Sequence, residues 1–288
     1  MKVQMISHTE NPELVIATAA KLCYAGCTIE ELMYKQTPEM IEKFIKKLMS
    51  MGHESPLEHV SFTFAIEGVS RITEQQLTRH RIASYSIQSG RYVNRKNAEF
   101  YTPSNILEDD YIKSLYDQAI KDGKDSYEEL STLLTINEVE KELIRRGVFP
   151  AEDTKEYDDL TSDADYMIEY ANSIDKSIYR NCNKKAIESA RCIFPNSLET
   201  RIVCTMNARS LLNFFSHRCC FRAQEEIREL ANKMLIEVKK IAPILFKNAG
   251  ATCKMLGYCP EGDMQCEQLS KTIPTLKELF LAYNKMKN

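Results

Sequence analysis

Residues 60–66 read Val-Ser-Phe-Thr-Phe-Ala-Ile. Val60, Phe62, Phe64 and Ile66 fall on one side of an extended chain, with small or polar residues between them, which is the pattern of a strand buried on one face. Ser70 follows as an N-cap, and the spacing predicts a helix from Arg71 to about Arg81. Periodicity is lost from Ile82 to about Arg95, so a structured loop leading into an extended piece is expected there. Upstream, Val3–Ile6 reads as a short strand. Asn11-Pro12 starts a helix carrying Val15, Ile16, Ala19, Ala20 and Cys23 at helical intervals. Thr37-Pro38-Glu39 starts a second helix, with Ile41, Phe44, Ile45 and Leu48, closed by Gly52.

Downstream, residues from about Leu107 to Gly147 have helical composition, with Gly123 as a break and Gly147 as a stop. Ala151–Glu169 holds eight acidic residues (Glu152, Asp153, Glu156, Asp158, Asp159, Asp163, Asp165 and Glu169) against Lys155 alone. Such a run is expected on a solvated surface. Helix is expected again from Lys184 to Ile193, a short strand at Ile202–Thr205, and a helix from Asn207 to Phe221. The last long helix carries an apolar stripe through Ile227, Leu230, Met234 and Val238 and stops at Pro243. Many helices, few strands and no βαβ alternation indicate an α+β fold.

The 288 residues carry 38 Lys+Arg and 41 Asp+Glu, a formal charge of −3, with 43% apolar residues. That is enough apolar material for a core. The near-neutral balance argues against a protein that binds nucleic acid through its phosphates, which calls for a basic surface. No apolar run approaches the roughly 18 residues that cross a bilayer. The opening MKVQMISHTENPE turns polar too early for a signal peptide, so a cytoplasmic protein with no membrane partner is expected.

Polar chemistry is densest at residues 79–92, RHRIASYSIQSGRY. Arginine offers a planar fork of donors that suits phosphates, and serine hydroxyls complete such a cradle. Cations closing a helix C-terminus are the alternative reading of Arg79, His80 and Arg81, but it leaves Ser84, Ser89 and Arg91 unexplained. On a continuous helix Arg79 and Arg81 would point about 200° apart. They converge on one ligand only if the helix ends there or if two ligands or subunits share the segment. Asn207, Arg209, Asn213 and Arg218 form a second polar set opposite Leu211, Phe214 and Phe215, with Arg191 and Arg201 upstream. Taken alone, that set reads as wet helix surface. A third set, GHESPLEH at 52–59, joins a helix to a strand, and its histidines match no strong zinc spacing.

The run Arg79-His80-Arg81, Ser84, Ser89, Arg91 resembles the signature of the flavin-dependent thymidylate synthases. GHESPLEHVSFTF (52–64), Gln76, Ala190-Arg191, TMNARSLLNFF (205–215) and Arg218 are similar to further segments of that family, and the likeness covers about residues 1–103 and 185–245. Two departures stand out: Ser55 replaces a frequent threonine, and Ile87 sits where relatives often carry an acid.

The resemblance implies a ThyX-like α+β fold, a central, mostly antiparallel sheet flanked by helices and not a Rossmann fold. It implies a domain over 1–245, with an acidic insertion near 150–183, followed by a cysteine-containing tail at 246–288. The implied reaction is reductive methylation of dUMP to dTMP, with FAD as cofactor, NADPH as reductant and methylenetetrahydrofolate as carbon donor, in a homotetramer with shared active sites. By the same resemblance Arg79, His80, Arg81, His53, Ser55, Glu58, Asn207, Arg209 and Asn213 contact FAD. Gln76, Ser89, Arg91, Arg191 and Arg218 contact dUMP. Arg218, Ser89 and His53 are the candidates for a chemical role. Arg218 is expected beside the pyrimidine. Ser89 as a nucleophile would need a nearby base, which its neighbours Tyr85, Ser86, Gln88 and Arg91 do not offer, so phosphate binding is the preferred role.

Ten cysteines in a chain without a secretion signal are expected to be reduced thiols. None sits in the Pro-Cys-His setting of the cysteine-dependent thymidylate synthases; Cys259 precedes Pro260 instead. No metal is expected. If zinc were bound, Cys220, Cys253, Cys259 and Cys266 would be its ligands, at spacings looser than ordinary zinc knuckles.

Overall fold

The computed structural model describes residues 1–93, 97–150, 154–266 and 273–287. Along the chain lie β1 (Lys2–His8), α1 (Pro12–Leu22), α2 (Ile29–Tyr34), α3 (Pro38–Ser50), a 3₁₀ turn (Ser55–His59), β2 (Ser61–Ser70), α4 (Arg71–Leu77) and β3 (Ala83–Ile87). Then come α5 (Ser104–Leu107), α6 (Asp110–Arg145), α7 (Lys155–Ser162), α8 (Ala164–Ile174), α9 (Lys176–Ala190), β4 (Glu199–Asn207), α10 (Ala208–Arg218), α11 (Glu225–Ile241), α12 (Thr252–Leu256) and α13 (Leu276–Lys287). The chain divides into two compact units: Met1–Ile87 with the chain from Thr200 onward, and Gln88–Glu199. The class is α+β, as expected.

The first unit is built on a sheet of order β1-β2-β4-β3, antiparallel in its outer pairs. Period-two burial decides its inner face. Phe62, Phe64 and Ile66 from β2 and Ile202, Cys204 and Met206 from β4 are buried, while the residues between them are not. On that face lie the apolar sides of α1, α3, α10 and α11, with Phe246 packed edge-on against Phe62 and Phe215. Burying one large apolar side chain contributes about 1.5–3 kcal/mol, so this face dominates the stability of the unit. Glu226 is fully buried at the start of α11 and accepts hydrogen bonds from the Ser70 N–H and hydroxyl, both at 2.5 Å. The Ser70 hydroxyl also accepts from the Thr73 N–H at 3.2 Å, so one serine caps α4 and ties it to α11.

Several boundaries differ from expectation for physical reasons. α4 stops at Leu77, four residues early, because Thr78 turns its hydroxyl onto the Glu74 carbonyl and the chain then leaves for β3. The stretch expected as a loop from Ile82 contains β3, which pairs with β4 from Ala83↔Met206 to Ile87↔Ile202; Arg95 lies outside the described residues. The helix begun by Asn207 ends at Arg218, not Phe221. Asn11 occupies the N-cap of α1 in the left-handed region (φ 45°) without a side-chain cap.

The second unit is helical. α6 runs without interruption through Gly123. The glycine costs roughly 1 kcal/mol in a helix, and packing against α8 and α9 overrides it. Gly147, at φ 70°, ends the helix in the left-handed cap expected of it. The expected helix at 184–193 is the end of a longer one, α9, followed by a 3₁₀ turn at Arg191–Ile193. In the acidic run, Ala151, Glu152 and Asp153 lie outside the described residues. The rest forms α7 and α8, with acids outward and Leu160, Met167 and Ala171 buried among Val139, Leu143, Ile178 and Cys182. Asp163 caps the N-terminus of α8, and Asp175 that of α9. Among the described residues no helix is long and apolar enough to cross a membrane.

Candidate active site

The early end of α4 releases Arg79, His80 and Arg81 from helical geometry, which removes the 200° constraint. Tyr85, on β3, holds the released turn by sharing its hydroxyl between the Leu77 and His80 carbonyls, both at 2.8 Å. Burial, and then Cys204, pushes the pKa of that phenol upward, so it remains a donor.

His80 turns inward, edge-on to Phe214 at 4.9 Å. Its Nε2 accepts from Arg218 Nε at 3.2 Å. Arginine is donor-only, so that nitrogen carries the lone pair. Burial first, then Arg218 and His217, brings the His80 pKa down to about 4, and the ring is neutral at pH 7. Burial and the nearby Arg79 lower the pKa of Arg218 as well. Among the described residues no carboxylate pairs with Arg79 or Arg218, leaving two cations beside a neutral ring.

Those groups open on a cavity of about 580 Å³. Arg79, His80, Asn213, His217 and Arg218 line it, together with Arg222 and tail residues that include Cys253, Cys259, Glu261 and Gln265. Arg81 is exposed and is not among its lining residues. Gln76 sits half-buried near the end of α4.

A second grouping lies at the other end of α10. Asn207 spends its side-chain oxygen on capping that helix, accepting from the Ser210 N–H at 2.8 Å. Arg209 donates to Glu54 at 3.1 Å and to Glu58 at 2.6 Å, tying the helix to the 3₁₀ turn. His53, Ser55 and Glu58 are exposed. Asn207 and Arg218 are separated by most of α10, a rise of roughly 16 Å. The residues expected around FAD therefore fall into two groups in this chain, with Arg81 in neither.

Within the second unit, Ser89, Arg91 and Arg191 come together. The Ser89 hydroxyl accepts from the Arg91 N–H at 3.2 Å, and Arg91 pairs with Glu188 at 2.7 Å. Arg191 donates to the Glu188 carbonyl at 3.2 Å. Gly90 leaves room for the Arg191 side chain: a Cβ there would stand 3.1 Å from its guanidinium nitrogen. Among the described residues no base contacts the Ser89 hydroxyl. Glu54 and Glu188 were given no role from the sequence, since a carboxylate that serves an arginine far along the chain leaves no local pattern; Tyr85 was weighed only as a base for Ser89.

The family model described as "Thymidylate synthase complementing protein" matches residues 4–244. A flavin-dependent thymidylate synthase of Clostridium tetani is 44% identical over 281 residues, covering 98% of this chain and 97% of its own. That of Geobacter sulfurreducens is 38% identical (98% and 100% covered). That of Pyrococcus furiosus is 33% identical (92% and 91%). The chain belongs to the thymidylate synthase complementing protein family.

Proposed function

We propose that this chain makes dTMP by reductive methylation of dUMP, with methylenetetrahydrofolate as carbon donor, FAD as bound cofactor and NADPH as reductant. The observation that carries this reading is the contact between Arg218 and His80, which joins two separate stretches of the family's pattern around one cavity. The cavity offers guanidinium forks, an amide and a neutral imidazole, a donor set suited to a pyrophosphate and to a carbonyl-bearing ring system. Arg79, His80, Arg81 and Asn213, with His53, Ser55, Glu58, Asn207 and Arg209, would hold FAD. When bound, the flavin supplies the hydride chemistry.

Gln76, Ser89, Arg91, Arg191 and Arg218 would hold dUMP. Among the described residues Arg218 has no carboxylate partner, so its charge is available to stabilise negative charge developing on the pyrimidine as C5 becomes nucleophilic. The Ser89 hydroxyl accepts from one N–H and keeps its own hydrogen to donate to a phosphate oxygen. We assign Ser89 to binding and Arg218 to catalysis, with His53 as an exposed imidazole at the flavin. The fold is assigned as ThyX-like and not Rossmann, with the enzyme unit over 1–245, an acidic insertion near 150–183 and the tail at 246–288. The assembly is a cytoplasmic homotetramer whose active sites draw residues from several protomers.

Anaerobic incubation with dUMP, methylenetetrahydrofolate, FAD and NADPH tests the reading: dTMP should form, and should stop when any one component is withheld. A flavin-loaded protein that oxidises NADPH yet never methylates dUMP would overturn it. So would a colourless protein that binds oligonucleotides in a salt-sensitive way.

A further inference from the structure

The far wall of the cavity is made by the tail, beyond the residues that the family model matches. Two tethers hold this wall to the body: Thr252 donates to the Ser216 carbonyl at 3.1 Å and Arg222 pairs with Glu261 at 2.5 Å. Within the tail, the Cys259 N–H bonds the Pro274 carbonyl at 2.8 Å. Its own buried cluster consists of Ala251, Cys253 and Cys259, backed by Cys219, Cys220 and Ile273. That is little apolar surface for a segment this long, and most of it is sulfur.

The cysteines are arranged, not scattered. Cys220, Cys253, Cys259 and Cys266 all line the cavity, and Cys253 and Cys259 share a buried cluster against which Cys220 packs. Cys219, next in chain to Cys220, packs against both this cluster and the main core and does not line the cavity. Each spacer in Cys253-x5-Cys259-x6-Cys266 contains a glycine in the left-handed region, Gly257 at φ 76° and Gly262 at φ 57°. These turns fold the chain back, which lets spacers longer than a zinc knuckle return successive thiols to one side. None of the ten cysteines is in a disulfide.

We propose that Cys220, Cys253, Cys259 and Cys266 bind one zinc ion that staples the tail to the end of α10. Four thiolates form a closed tetrahedral set that suits zinc, and the divalent cation offsets the repulsion of gathering them. Among the described residues no three His, Cys, Asp or Glu donors yet share a point that holds an ion. The four thiols line one cavity, and the proposed metal draws them together as it enters. Metal binding is thereby coupled to ordering of the tail. This inference does not depend on the catalytic reading.

Metal analysis of the full chain, purified without chelator from zinc-supplemented cells, should find about one zinc per chain. A mercurial thiol reagent should release it in step with thiol modification. Cobalt substitution should produce the absorption bands of tetrahedral thiolate ligation at wavelengths beyond those of flavin, a readout that needs no variant. Cys259→Ser and Cys266→Ser should each bring zinc below roughly a tenth of an equivalent, while Cys23→Ser/Cys27→Ser keeps it. Chelation should expose the chain beyond residue 246 to protease and leave the rest intact. Protein without zinc whose tail resists protease as the zinc-loaded form does would overturn the proposal. So would a disulfide among the four cysteines, or iron in place of zinc.

Discussion

Arg209 and Arg218 stand near opposite ends of α10 in contrasting electrostatic settings. Arg209 is half exposed and held by two carboxylates, Glu54 and Glu58. Arg218 is partly buried and, among the described residues, meets the lone pair of a neutral imidazole and no carboxylate. The first arrangement ties a turn to a helix, and water and salt screen most of its energy. The second holds an uncompensated cation in a partly desolvated cavity, where an incoming anion gains most. One helix thus carries a structural clasp at its start and a charge reserved for a ligand at its end.

The severest test of this contrast is Arg218→Ala. Turnover to dTMP should fall roughly 10²–10³-fold, the cost of losing one preorganised donor at a developing charge; an unchanged steady-state rate would erase the distinction. Next comes Ser89→Ala, which should retain measurable turnover and raise the KM for dUMP roughly tenfold, about 1.4 kcal/mol. Complete loss of chemistry with dUMP binding intact would return Ser89 to the role of nucleophile.

His80 provides a pH test. Its pKa is brought down to about 4 in the folded chain, against about 6.5 unfolded. Between those values the unfolded state binds the proton and the native state does not, so stability rises with pH through this window and is lost on acidification. The half-exposed ring limits the effect to about 1 kcal/mol. Denaturant unfolding at several pH values should show this slope in the natural chain and lack it in His80→Gln; identical slopes would refute it.

Tyr85→Phe removes the hydroxyl that holds the turn after α4. It should cost about 1 kcal/mol in unfolding free energy and speed amide exchange at residues 78–82; exchange as slow as in the natural chain would show that the turn needs no clasp. Arg209→Ala should be the mildest change. FAD affinity should fall less than tenfold and the unfolding midpoint should not move measurably. A loss as large as that of Arg218→Ala would make the two ends of α10 equivalent.

The helices were legible where their signals are local. Ser70 and Thr37 announce N-termini, Gly147 a C-terminus, and Ile227 to Val238 an apolar stripe, because caps and i, i+3, i+4 neighbours lie within a few residues of one another. The alternation of Val60 to Ile66 likewise exposes β2. β3 was hidden because it is only five residues long and sits inside a densely polar run, although Ala83, Tyr85 and Ile87 alternate with serines; it exists as a strand through pairing with β4, far along the chain. Gly123 was misread because its penalty is local while the packing that overrides it comes from α8 and α9.

The chain alone settles which residue types are available at the site: the arginines, serines and histidine of 79–92, and the second polar set on α10. Folding decides which charges stay uncompensated and which are clasped. Arg218 and Arg209 are the same side chain, and only their neighbours, brought in from residue 80 in one case and from 54 and 58 in the other, make them different. Likewise, only folding separates Cys220, which lines the cavity, from Cys219, which does not. Local pattern reports what a residue is able to do, whereas desolvation and pairing depend on distant segments that sequence spacing does not place.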